Sequence, residues 1–191
     1  MIDGIFRFLK EQLTGFLNGE AAEAPVVDYV DISTDPPKFP GKINMALVNM
    51  EEESQLRDPN PYVRNNGSKM NAKPAVRLFL HILFAGKAGA SKSLIPPYEE
   101  VLGYISKVIL FFQANPVFDS KEFPYLAQIG VERLIMELHP LTYTQQNELW
   151  SALKTAYLPS VCYRAKMLVI QEEPAVMEGE ILEQTLSIRQ L

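Results

Sequence analysis

The sequence predicts an α/β (α+β) fold, with a single mixed, largely antiparallel sheet packed by about three helices. Apolar residues recur every three or four positions over residues 1–17 and 98–115, which is typical of amphipathic helices. They alternate along the chain over 75–84 and 161–170, which is typical of strands. With 191 residues, of which 47% are hydrophobic, the chain is long enough to form one domain with a full core.

The first segment, residues 1–17, predicts an amphipathic helix whose apolar face can contact a neighbouring molecule. Asp3, Arg7 and Lys10 interrupt its apolar run, so it does not have the character of a secretory signal peptide. The sequence also lacks the ~18 consecutive apolar residues that a membrane span requires. We therefore expect synthesis without a secretory signal and no insertion into a membrane.

Two strands are predicted to pair around a long connection. A short strand at 26–32 and a turn-rich segment at 35–41 come first, and a longer strand begins at Ile43. Its predicted partner is the alternating segment 75–84. The connection at 51–73 is mostly polar and much longer than the ~2–5 residues of a hairpin loop. Two interpretations stay open: a binding loop that becomes ordered only in an assembly, or a disordered segment.

The second half of the chain predicts helix, strand, helix and strand. The helix over 98–115 should be largely buried and should end before Pro116, because a residue that precedes proline avoids the α region. Thr142 and Gln145 have the spacing of a capping box, which predicts the start of the next helix. The two strands are predicted over 131–138, with Leu134, Met136 and Leu138 facing the core, and over 161–170.

The predicted domain covers residues 1–170. Residues 171–191 follow neither the helical nor the strand period, and they are interpreted as a C-terminal tail that can pack on a neighbouring subunit.

No pattern in the sequence favours catalysis. His81 and His139 are the only two histidines and have no further ligand at metal-binding spacing, so structural roles are favoured for both. The single cysteine, Cys162, lacks a catalytic sequence context and is expected in the core. A net charge of -5 disfavours nucleic acid as a partner. We expect no enzymatic activity, no cofactor and no metal, including at the acidic residues 51–53.

Basic and aromatic residues share the less apolar face of the predicted sheet, namely Arg77, Phe79, Arg164 and Lys166. This face is either a solvated sheet surface, as is common in antiparallel sheets, or a contact between subunits of a ring. The residues alone leave both interpretations open.

Four segments together carry a resemblance to a known family. From Thr142 the sequence reads TYTQQNELWSALK, and from Ala156 it reads AYLPSVCYRAKMLVI. Upstream, residues 111–118 read FFQANPVF and residues 46–53 read ALVNMEEE. This ordered set resembles the cap, or tail-terminator, family of phage-tail-like contractile injection systems. That family includes the cap proteins of the virulence-cassette and antifeeding-prophage particles.

The resemblance implies a tail-terminator-like fold and a homohexameric ring that stacks on the last layer of the inner tube and the sheath, where it ends their polymerisation. The implied partners are further copies of this chain, the tube protein and the sheath protein. The expected location is the bacterial cytoplasm during assembly, and then the contractile particle, which can be released from the cell. The alternative is a baseplate or effector-loading adaptor of the same particle. The candidate assembly contacts are Glu51, Glu52, Glu53, Arg57, Arg64, Lys69, Lys73, Arg77, Arg164 and Lys166.

Overall fold

The computed structural model of the protein describes residues 1–17, 26–52, 62–65, 68–71, 77–87 and 96–169. The helices of these residues are α1 (Ile2–Leu17), α2 (Pro97–Ala114), α3 (Pro124–Gln128) and α4 (Tyr143–Ala152). The strands are β1 (Val27–Tyr29), β2 (Ile43–Glu52), β3 (Tyr62–Asn65), β4 (Ser68–Asn71), β5 (Arg77–Gly86), β6 (Val117–Asp119), β7 (Val131–Leu138) and β8 (Ser160–Val169). Within the described ranges, no helix is both long and apolar enough to cross a membrane.

Six strands form one mixed sheet in the order β1-β2-β5-β8-β7-β6. Only β1 and β2 pair in parallel, and every other neighbouring pair is antiparallel. The predicted fold class and the predicted pairing of the second strand with 75–84 are therefore confirmed. Four helices accompany the sheet in the described part of the chain where about three were expected, and α3 is only five residues long.

The main hydrophobic core lies on one face of the sheet, beneath α1, α2 and α3. Alternation along β5 and β8 sends Ile82, Phe84 and Tyr163 to this face, where they are almost fully buried. Phe112 of α2 packs against Phe84 and Tyr163, with ring centroids 5.3 Å and 4.7 Å apart. Such aromatic pairs add to the stabilisation that burial provides.

Helix α1 belongs to this core. Its apolar residues Ile5, Leu9 and Leu13 are fully buried, and Phe8 packs edge-on against Phe118 of β6 at 5.3 Å. The helix predicted at residues 1–17 is confirmed, but most of its apolar face is covered by its own domain. The buried part of that face is therefore not available for contact with a neighbour.

The opposite face of the sheet is covered over only part of its area. Leu83 and Ala85 of β5 lie there under Trp150 of α4, together with Val30 and Phe39 from the segment around β1. Helix α4 begins at the predicted capping box: the Thr142 hydroxyl accepts a hydrogen bond from the Gln145 amide, and the Gln145 side chain accepts one from the Thr142 amide.

The connection between β2 and β5 contains a hairpin that the sequence reasoning missed. Strands β3 and β4 pair antiparallel within it, with Arg64 opposite Lys69. The sequence signal was present, because Asn66-Gly67 is a strongly preferred hairpin-turn dipeptide between two short segments. The predicted structureless connection is therefore wrong over these two strands.

Two further differences occur in the second half. The short elements β6 and α3 were not predicted, because three and five residues are too few to establish a period. Leu138 was expected to face the core, yet it is 55% exposed, while Leu134 and Met136 are buried as expected. Residues 170–191, including the predicted tail, lie outside the described residues.

Candidate assembly interface

The uncovered part of the second sheet face carries four of the ten charged residues predicted to act in assembly. Cross-strand register places Phe79 opposite both Glu51 and Lys166, and His81 opposite Arg164. We refer to this surface as the charged face, and it consists of Glu51, Arg77, Phe79, His81, Glu137, Arg164 and Lys166. The predicted grouping of Arg77, Phe79, Arg164 and Lys166 on one face is confirmed.

Contacts within the chain hold the charged face together. The Arg164 guanidinium donates to Glu137 Oε2 from Nε at 3.2 Å and from Nη2 at 2.6 Å. It also lies 5.0 Å from the centre of the Phe79 ring, and Lys166 Nζ lies 5.3 Å from the same centre. Cations at these distances are attracted to the ring face. Arg164 is therefore positioned by its own domain before any partner arrives.

His81 is the most buried titratable group of this surface, at 8% exposure. Its Nε2 atom lies 3.6 Å from Glu51 Oε1, and its ring centroid lies 4.8 Å from that of His139. Burial lowers the pKa of His81, and the nearby His139 and Arg164 lower it further, whereas Glu51 opposes the shift. The folded protein therefore favours the neutral imidazole.

We expect acid to destabilise the protein through His81. Because its pKa is lowered on folding, the unfolded chain binds the proton more readily as the pH falls below the ordinary value of 6.5. The stabilising contribution is complete above 6.5 and is lost between that value and the lowered folded pKa. His81→Gln should show a smaller loss of unfolding free energy than the unmodified protein between pH ~7.5 and ~5.5.

Chemical denaturation at the two pH values measures this difference. His139→Gln is the matched control, since it removes the other histidine of the pair, and it should keep most of the acid-induced loss. Equal loss in the unmodified protein and in His81→Gln would assign the acid sensitivity to other groups.

No cluster of metal-binding side chains is present in the described ranges. They contain no group of three His, Cys, Asp or Glu residues able to hold a metal ion. Cys162 is buried as predicted, and burial raises the pKa of its thiol to about 11, so the reactive thiolate is disfavoured.

The predicted assembly contacts fall in three places. Glu51 and Glu52 end β2 and are exposed, and Arg77, Arg164 and Lys166 lie on the charged face. Arg64 and Lys69 are opposite each other in the β3–β4 hairpin. Glu53, Arg57 and Lys73 lie outside the described residues.

The sequence reasoning missed an exposed apolar edge on β2. Strand β1 pairs with β2 only as far as Met45, and no described strand borders β2 beyond that point on the same side. Leu47, Val48 and Met50 of this edge are 43%, 37% and 50% exposed. An adjoining groove of about 410 Å³ is lined by Asp3, Phe6, Arg7, Tyr29, Val30, Ile32, Met45, Ala46 and Leu47.

Comparison with known proteins identifies the family. The model of the Pvc16 N-terminal domain matches residues 7–184. Curated protein sequences provide no significant match. Among solved structures, the chain is similar to the sheath/tube terminator of the PVC extracellular contractile injection system in its extended state, with 16% identity and a TM-score of 0.56 over 100% of this chain. It is also similar to the tube-terminating cap of the anti-feeding prophage, with 13% identity and a TM-score of 0.56 over 97% of this chain.

At these identities the structural likeness shows a shared fold. The chain spans 66% and 61% of the lengths of the two solved proteins, so it corresponds to a part of each. The family model, in contrast, covers nearly the whole of the present sequence. The chain therefore belongs to the Pvc16 N-terminal domain family.

Proposed function

We propose that this protein is the cap, or tail terminator, of a contractile injection particle. It forms a homohexameric ring on the distal end of the inner tube and sheath and ends their polymerisation. The observation that carries this proposal is the match of the Pvc16 N-terminal domain over residues 7–184, supported by the fold shared with two solved terminating proteins.

A cap acts by covering a surface. Tube and sheath layers add through head-to-tail contacts, and such contacts continue until something occupies the last free face. A protein in this role needs complementary surfaces and no reactive groups. Its partners are further copies of itself, the tube protein and the sheath protein, and it works without catalysis, cofactor or nucleic acid.

Two charged surfaces are proposed as contacts with neighbouring subunits. The first is the charged face, where Arg164 is already oriented by Glu137. The second is the connection from β2 to β5, with Glu51, Glu52 and Glu53 at its start and Arg57, Arg64, Lys69 and Lys73 along it. A segment with acidic residues followed by basic residues can align electrostatically with a neighbouring subunit that presents the opposite order of charges. We further propose that residues 1–170 form one domain and that the tail at 171–191 packs on a neighbouring subunit.

Locating the protein in assembled particles tests the proposed function. A tagged copy should be found at the end of the tail distal to the baseplate, and quantitative mass measurement of purified particles should give several copies per particle. The protein would be made in the bacterial cytoplasm and would remain with the particle afterwards. A tag at the baseplate would favour the adaptor alternative, and a single copy per particle would contradict the ring.

The β3–β4 hairpin is expected to serve assembly and not folding. Glu52 and Leu78 are opposite each other at the ends of β2 and β5, so a short turn can replace residues 55–75 without changing their pairing. This variant should fold with a cooperative transition close to that of the unmodified protein, and it should fail to cap tails. Circular dichroism measures the first result, and electron microscopy of tail length measures the second.

The matched control is Arg64→Gln with Lys69→Gln, which keeps the hairpin and removes two of its charges. Partial loss of capping in the control and complete loss in the deletion would show that both the charges and the shape of the hairpin contribute to its contact with a neighbouring subunit. Tails of normal length with the deletion would make the hairpin a passive connection.

A further inference from the structure

The six-stranded sheet ends in two edges that differ in character. On one side β1 is short, which leaves β2 exposed from Leu47 to Glu52 among the described residues. On the other side β6 is short and pairs only with Arg133, Leu134 and Ile135 of β7. Edge strands present unpaired backbone groups, which can bind another strand. We refer to these surfaces as the β2 edge (Leu47–Glu52) and the β6 edge (Val117–Asp119 with Leu138).

Both edges expose large apolar side chains. Leu47 and Met50 are 43% and 50% exposed on the β2 edge. Val117 and Leu138 are 43% and 55% exposed on the β6 edge. Leu138 is exposed because β7 continues past the end of β6, just as β2 continues past the end of β1. Removing such side chains from water would favour association.

The cross-strand register connects residues of the β2 edge with residues of the β6 edge. Register runs from Leu47 through β5 and β8 to Leu138, so these residues are the two ends of one row across the sheet. A second row runs from Glu51 to Val117 in the same way. Strand directions place β2 and β6 parallel to each other. A β2 edge that docks on the β6 edge of another copy would therefore extend the sheet through a parallel pair, and repetition of this head-to-tail contact can close a ring.

Charge disfavours the competing arrangement in which two β2 edges pair. In a parallel, in-register pairing of two β2 edges, Glu51 and Glu52 at the end of β2 would be brought close to the same residues of the partner. The β6 edge has cations nearby, with Lys121 just after β6 and Arg133 paired to Asp119 at 2.9 Å.

We propose that the β2 edge of one subunit docks on the β6 edge of a second copy of this chain, with parallel strands, so that the sheet continues from subunit to subunit around the ring. This inference rests on the proposed function, because it specifies how the cap subunits contact one another. In such a ring each copy uses both surfaces, so that neither the β2 edge nor the β6 edge is left free.

Cysteine cross-linking in purified particles tests the docking. Glu51→Cys and Val117→Cys occupy the ends of one row, and adjacent strands bring Cα atoms within the ~4.4–6.8 Å that a disulfide requires. Cys162 is buried and has a raised pKa, so it should contribute little background. Oxidation of the double variant should give a ladder of cross-linked species ending at the closed ring. A short bis-maleimide serves as a second reagent that tolerates a small offset.

The single variants distinguish head-to-tail from symmetric pairing. Glu51→Cys alone and Val117→Cys alone should remain uncross-linked, and an equal mixture of the two chains should give dimers and no longer species. Dimers of Glu51→Cys alone would show β2-to-β2 pairing and overturn the proposal. Absence of a ladder with either reagent, in particles that contain the protein at their distal end, would overturn the docking while leaving the cap function intact.

A surface substitution provides a second measurement. Leu47→Asp places a charge on the β2 edge and should lower the number of capped tails by about tenfold or more, because docking would bury that charge without a partner. Tyr143→Asp is the control, because Tyr143 is 89% exposed on α4 and belongs to neither edge. Equal capping by the two variants would contradict the proposal, provided that both retain the circular dichroism spectrum of the unmodified protein.

Discussion

Particles assembled without this protein are expected to lose control of tail length. The tube and sheath subunits would remain intact and able to polymerise, because their own contacts do not require the cap. Without a protein on the last layer, however, nothing occupies the free face that binds the next layer. A strain from which the coding sequence is deleted should therefore yield no stable particles, or particles with a broad distribution of lengths, as measured by electron microscopy.

Complementation provides the control for this experiment. The unmodified protein and the Tyr143→Ala variant, which changes an exposed side chain on α4, should both restore a narrow length distribution. Normal particles of normal length in the deletion strain would refute the terminator function. Normal length combined with loss of cargo would favour the effector-loading adaptor.

Truncation of Phe112 is expected to cause the largest loss of stability of any single substitution considered. Its side chain is 2% exposed and touches three other rings, those of Phe84, Phe111 and Tyr163, at centroid distances of 5.3, 5.1 and 4.7 Å. Removal of a buried phenylalanine typically costs about 3–5 kcal/mol, because both burial and packing are lost. Since many domains have only ~5–15 kcal/mol of stability, Phe112→Ala should be substantially unfolded at elevated temperature.

Denaturant unfolding monitored by circular dichroism gives the free energy. Phe112→Leu should recover part of the loss, because it refills part of the cavity. Tyr143→Ala should change the free energy by less than ~0.5 kcal/mol, as expected for an exposed side chain. A loss below ~1 kcal/mol for Phe112→Ala would mean that the space between α2 and the sheet collapses readily or is not packed as described.

Local patterns were sufficient to predict most of the elements. The alternation of β5, with large apolar residues at every second position, identified both its strand character and the side chains that face the core, since successive residues of a strand point to opposite sides. The spacing of Thr142 and Gln145 likewise identified the start of α4, because a capping box needs only a few neighbouring residues. The hairpin between β2 and β5 could also have been predicted from the sequence, because Asn66-Gly67 is a preferred hairpin-turn dipeptide.

Exposure was harder to predict, because it depends on neighbours that are distant in sequence. Leu138 continues the apolar alternation of Leu134 and Met136, yet it lies in water because β6 is too short to cover the end of β7. Leu47 alternates in the same way with Ile43 and Met45, and it is exposed because β1 stops at Tyr29.

The sequence by itself determined the fold class, the family resemblance and the set of charged residues on one sheet face, because periodicity and residue type act over a few positions. Only the tertiary structure decided that Arg164 is held by Glu137 and Phe79 and that most of the apolar face of α1 is buried in the core of its own domain. It also decided that the sheet ends in two edges with exposed apolar side chains. Those outcomes depend on the lengths and register of strands brought together from distant parts of the chain, and no local pattern encodes them.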